Sequence, residues 1–182
     1  MKNISVRDLI LLALFADIGF AAKRLIAPVA NVLTDFLRVP GGIGTAFSLM
    51  FLVIGACVIR RKGSAAVMGL VQCVLAMSLG MTGAMGMLSP VGYILPGVII
   101  DLIIAACTRY NVSLPVTMTA ANAAGSAMAA LTANFIVFRL RGAVLALYLL
   151  IGLISGGLCG LLAAVIFRRI RLLYRTADER SD

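Results

Sequence analysis

The chain has 182 residues, 62% of them hydrophobic and only 13% charged, with a mean hydropathy of +1.10. Soluble domains sit near half apolar and roughly a quarter charged, so this composition excludes an ordinary water-soluble fold and marks an integral membrane protein. The net charge of +9 comes from Lys and Arg that flank apolar runs, which reads as topology and headgroup signals and argues against nucleic acid as a partner.

A spanning helix needs roughly 20 mostly apolar residues. The first candidate, 8–27, follows Lys2 and Arg7 and imitates a signal peptide. Asp17 interrupts its apolar core and Lys23 and Arg24 close it, which predicts a retained helix. A linker is expected over 28–42, bounded by Pro28 and Pro40. The second and third candidates, 43–60 and 64–80, are joined by the basic turn Arg60-Arg61-Lys62-Gly63. A second linker is expected over 81–90. The fourth helix, 91–108, carries Asp101. The fifth, 115–138, opens on Pro115, which a first helical turn tolerates. The sixth is 143–167. The expectation is one all-α domain, 1–182, of six transmembrane helices.

Lys and Arg placement sets orientation. With the N-terminus inside, eleven basic residues are cytoplasmic and five (Lys23, Arg24, Arg38, Arg139 and Arg141) lie outside. Both termini are therefore expected in the cytoplasm, with the linkers 28–42 and 81–90 outside. Small residues recur every fourth position in the sixth helix (Gly152, Gly156, Gly160) and the fifth (Thr117, Ala121, Gly125, Ala129, Ala133), the spacing of close helix contacts in lipid.

Catalytic signatures are missing from the sequence. It has no GxxxxGK[ST] phosphate loop, no HExxH and no GxSxG, and it contains no His. Cys57, Cys73, Cys107 and Cys159 have neither zinc nor redox spacing and read as apolar fillers. A carrier or binder is expected, with no enzyme activity and no metal.

Depth along the helices singles out polar residues. At about 1.5 Å per residue, Asp101, Asn122, Gln72 and Asp17 share a layer roughly 10–14 Å from the cytoplasmic edge. Polar groups at that depth face the bundle interior and pair, so the layer reads either as structural hydrogen bonding or as the floor of a substrate cavity. The outer half adds Arg38, Thr82, Tyr93, Asn134 and Arg139, each a ligand contact or an ordinary headgroup-zone residue.

The stretch "FSLMFLVIGACVIRRKGSAAVMGLVQCVLAMSLG" (47–80), followed by "GYILPGVIIDLI" (92–103), resembles the substrate-binding S-components of energy-coupling factor (ECF) transporters, nearest the hydroxymethylpyrimidine/thiamine branch. In that branch a helix ends in a basic turn like Arg61-Lys62-Gly63-Ser64-Ala65-Ala66. The resemblance implies a multi-pass protein of a prokaryotic plasma membrane that captures a vitamin-like solute from outside. It implies docking on a transmembrane coupling subunit driven by two cytoplasmic ATPases, with ATP used only by those separate chains. The first helix, where relatives carry an AxxxA contact, has Asp17 between Ala13 and Ala21; Ala13, Ala16 and Gly19 offer a small docking face instead. The third helix lacks the acids of the thiamine branch, and Arg24, Arg38, Arg139 and Arg141 favour a carboxylate-bearing or neutral ligand over a cation. Two other functions stay open: a proton-coupled secondary transporter using Asp101 or Asp17, and a non-transporting membrane scaffold.

Overall fold

The computed structural model describes residues 6–37 and 43–178, and their regular structure is helical throughout. Six α-helices follow one another: α1 Val6–Leu37, α2 Ile43–Ile59, α3 Ser64–Ser78, α4 Ser89–Arg109, α5 Leu114–Leu131 and α6 Ala143–Asp178. A 3₁₀ turn, Gly83–Leu88, leads into α4, and a π-helical turn, Thr132–Val137, continues α5.

Three boundaries differ from expectation. The segment 28–37, expected to be a linker, is helical, because α1 runs through Pro28. Its continuation is held by packing: Ala30 is buried, and Gly44 of α2 lies against Ala27. The fifth helix leaves α-geometry at Thr132 instead of reaching 138. The sixth continues past 167 to Asp178.

Neighbouring helices run antiparallel in a fixed register. Going up α1, Phe15 meets Gly55, Gly19 meets Ser48 and Phe51, and Ala27 meets Gly44. α3 and α4 cross with Gly69 against the Tyr93 carbonyl and Gly97 against the Ala65 carbonyl. α6 lays Gly152, Gly156 and Gly160 on the Ser126–Ala130, Ala123–Ser126 and Met118–Thr119 backbone of α5. The glycine stripe of α6 is thus spent inside the bundle, where a missing Cβ lets two backbones touch.

α2 is central, touching each of the other five α-helices. It is apolar all round, as a helix enclosed on every side must be, and Leu52, Val53 and Ile54 are fully enclosed. The bundle's outside is apolar as well: Ile10, Leu14, Leu102, Leu158, Leu162 and Val165 are exposed, while Ser48, Gln72, Asn122 and Ser126 are buried. Greasy exterior and polar interior suit lipid as the solvent. Two helical stretches, Met85–Arg109 and Ala143–Ile170, are long and apolar enough to cross a bilayer, whereas α2 and α3 are apolar but shorter.

Candidate functional site

Asp101 finds its partners on backbone. The turn before α3 needs a left-handed residue at Gly63 (φ 85°), and no side chain of that turn caps the helix. The first N–H groups of a helix need acceptors and sit at its positive end. Asp101 supplies both from α4: Ala65 N–H donates to Oδ1 at 3.1 Å and Ala66 N–H to Oδ2 at 2.9 Å. Gly97, one turn earlier, brings α4 close enough for this. The carboxylate is a helix cap delivered across an interface, and both its oxygens are engaged.

The other members of the expected polar layer are likewise separate. Gln72 Nε2 donates to the Ala16 carbonyl at 3.1 Å, joining α3 to α1. Asn122 Nδ2 donates to the Gly156 carbonyl at 2.7 Å and to Ala46 at 3.3 Å, tying α5 to α6 and α2. Asp17 points away from all of them, exposed on the outer face of α1. Among the described residues no hydrogen bond links any two of the four; the layer consists of three independent ties to backbone and one outward acid, closer to the structural reading than to a shared cavity floor. Ala16 and Gly19 are also buried within the bundle, and Ala13 is half-buried, so an outward docking face on α1 is not built from Ala16 and Gly19.

At the far end of the bundle from Asp101 lie two adjoining cavities that share Thr45, Ala129 and Ala133. One, about 310 Å³, lies between the end of α5 and the start of α6, with Asn31, Ser126, Asn134 and Tyr148 among its walls. The other, about 280 Å³, lies between α1, the 81–88 segment and α4, bordered by Lys23, Arg24, Thr82 and Tyr93. Volumes near 300 Å³ are the lower end of the small-molecule range. Small residues on α5 (Ala129, Ala133) keep this space open.

The walls are set by local chemistry. Lys23 Nζ stands 5.1 Å from the centre of the Tyr93 ring, a cation–π contact. Arg24 Nη2 donates to the Met81 carbonyl at 3.1 Å and the guanidinium lies over Phe20. Ser89 Oγ donates to the Gly86 carbonyl at 2.6 Å and fixes the turn that carries Thr82. Asn134 Nδ2 donates to the Ala130 carbonyl of its own helix at 2.8 Å. Ser126 Oγ, 4% exposed as a residue, has no hydrogen-bond partner among the described residues, although it borders the first cavity.

Of the expected ligand contacts, Thr82, Tyr93 and Asn134 border these cavities. Gln72, Asp101 and Asn122 do not. Arg139 is exposed, on left-handed backbone (φ 52°), and lines neither cavity. Arg38 lies outside the described residues. Lys23, Thr45, Ser126 and Tyr148 were not singled out from sequence as ligand contacts; the paired cations at the end of the first apolar run were the available signal. Among the described residues no group of three or more His, Cys, Asp or Glu is placed to hold a metal ion.

A family model described as "ABC-type cobalt transport system, permease component" matches residues 7–129. No curated protein and no solved structure matches the chain.

Proposed function

The chain belongs to the family of ABC-type cobalt transport permease components, and from that premise we propose that it is the solute-capturing membrane subunit of an ABC-type importer. A system of that type joins a membrane component to an ATPase and moves a small molecule, and this chain has no phosphate loop of its own. The reading assigns capture to this subunit and ATP hydrolysis to separate chains, as in the ECF transporters whose S-components the sequence resembles. It takes residues 1–182 as one six-helix domain in a prokaryotic plasma membrane, with α2 and α3 as short spans and both termini in the cytoplasm. The cavities then face outside, and the solute is of vitamin type. The observation that carries the proposal is the pair of cavities, largely apolar with a few polar groups in their walls, at one end of an apolar-coated bundle.

The test is made on the purified chain in mild detergent and in liposomes. The chain alone is expected to bind its solute stoichiometrically, to hydrolyse no ATP and to move no solute across liposomes. Uptake by the chain alone under a pH gradient would replace this reading with a secondary carrier.

The partner contact follows from α1. Ile10, Leu14, Asp17, Ile18 and Ala21 form one exposed stripe, and Asp17 has no partner among the described residues. A carboxylate about 11 residues into the helix is too deep and too short to reach the headgroups. An isolated acid at mid-helix costs about 2.5–3.5 kcal/mol on insertion scales. A basic residue on a helix of the coupling subunit removes that cost. Asp17→Lys is expected to cut co-purification with the coupling subunit at least about tenfold, the equivalent of about 1.4 kcal/mol, and to leave solute binding unchanged. Unchanged co-purification would place the docking face elsewhere.

A further inference from the structure

The cavity bordered by Lys23 and Arg24 has an electrostatic sign. Its walls are Lys23, Arg24, Thr45, Thr82 and Tyr93 with small and apolar residues between them, and among the described residues none that lines either cavity is acidic. Lys23 is positioned by the face of Tyr93, and Arg24 spends one guanidinium nitrogen on the Met81 carbonyl. Neither has a carboxylate partner among the described residues. An Arg fork carries five donors, so most of its hydrogen-bonding capacity is left over. Arg24 is exposed and Lys23 half-buried, so two adjacent cations without a described counter-ion border the mouth of the cavity and attract an anion there.

We infer that the solute is an organic oxyanion, a small molecule whose carboxylate or phosphate is held by Lys23 and Arg24. Its uncharged body extends past Thr45 toward the Ala129–Ala133 wall. The inference rests on the capture reading above and narrows it. It also separates this chain from the ion in its family's description. A bare divalent cobalt ion needs several N, O or S donors. The chain has no His, and no donor cluster exists among the described residues. Two cations in the cavity wall repel such an ion.

The experiment uses the full chain purified in mild detergent, unfolded in acid, with the released molecules analysed by mass spectrometry. Lys23→Gln, Arg24→Gln and the charge-keeping Lys23→Arg are treated identically, each first checked for native helix content and monodispersity. The expected result is a stoichiometric small anion in the parent chain, its fragments separating carboxylate from phosphate ester. Occupancy falls at least about tenfold in Lys23→Gln and Arg24→Gln and is retained in Lys23→Arg. If nothing is released, thermal-shift titration with a panel of vitamins and carboxylic and phosphorylated metabolites is read instead, with cobalt(II) chloride beside it. A stoichiometric neutral or cationic molecule overturns the anion inference and keeps the capture reading. So does stoichiometric cobalt binding. Phospholipid as the sole released molecule, with no response to the panel, makes Lys23 and Arg24 headgroup contacts and overturns the inference. No response to any ligand overturns both.

Discussion

Asp101→Ala is expected to lower the stability of the purified chain by about 3 kcal/mol while leaving solute occupancy per folded molecule unchanged. The substitution removes two charge-assisted bonds and leaves the Ala65 and Ala66 N–H groups without acceptors at a helix terminus that has no other cap. Hydrogen bonds to a charged group contribute about 1.5–3 kcal/mol each, and orphaning a buried donor adds its desolvation cost. The sum is discounted because the site is only part-buried. Asp101→Asn keeps one acceptor oxygen, so about half the loss is expected. Thermal unfolding in detergent reads the first quantity and ligand release from the folded fraction reads the second. Lost occupancy at unchanged stability would instead put Asp101 in the solute site, as its depth alone once allowed.

Gly156→Leu is expected to prevent native folding, a larger effect than any other substitution considered. A Cβ at position 156 would stand 2.7 Å from Ser126 Cβ and 2.8 Å from Ala123 Cα. The second of these is backbone and cannot rotate away. Overpacking usually costs about 1–3 kcal/mol when neighbours yield; here the two helices must separate, which also breaks the 2.7 Å bond from Asn122 to the Gly156 carbonyl. The adjacent residue supplies the control, since a Cβ on Gly157 would meet nothing within 4 Å. Gly157→Leu is therefore expected to fold. Size-exclusion profiles and helix content of the two variants make the comparison. If Gly156→Leu stayed monodisperse and native, the α5–α6 contact would not be the close one described.

The helix count and most helix starts were legible because apolar run length and basic turns are one-dimensional signals: α2, α3 and α4 lie within about two residues of expectation. Pro28 misled, since a proline ends a helix only when nothing else holds the following turns, and here Ala27 and Ala30 pack against the bundle. Of the two readings of the polar layer, structural hydrogen bonding fits Gln72, Asn122 and Asp101, although each bonds to backbone and not to another member. Counting residues gives depth in a helix but not azimuth. Asp17 and Gln72 share a level, yet one faces outward and the other inward. Backbone carbonyls also competed for the polar side chains: Gln72 and Asn122 each donate to a neighbouring helix's carbonyl, a partner that no pattern of residue types announces. The cavity was half legible. Tyr93, Thr82 and Asn134 stand out by type, whereas Thr45, Ala129 and Ala133 matter for the room they leave.

Because α1 passes through Pro28 without ending, one continuous rod carries Asp17 on its outer stripe and Lys23 and Arg24 on the cavity wall about 9–10 Å further along. Proline contributes no N–H, so the Arg24 carbonyl loses its usual donor four residues on, and α1 lacks one internal hydrogen bond beside the cavity. On the capture reading, a contact at Asp17 that preferred one placement of this rod over another would change how well the cavity holds a solute. Thermodynamic linkage makes the exchange reciprocal: an occupied cavity alters the affinity at Asp17 by the same factor. A full and an empty subunit would then present different surfaces to whatever binds α1, with no second signalling element required.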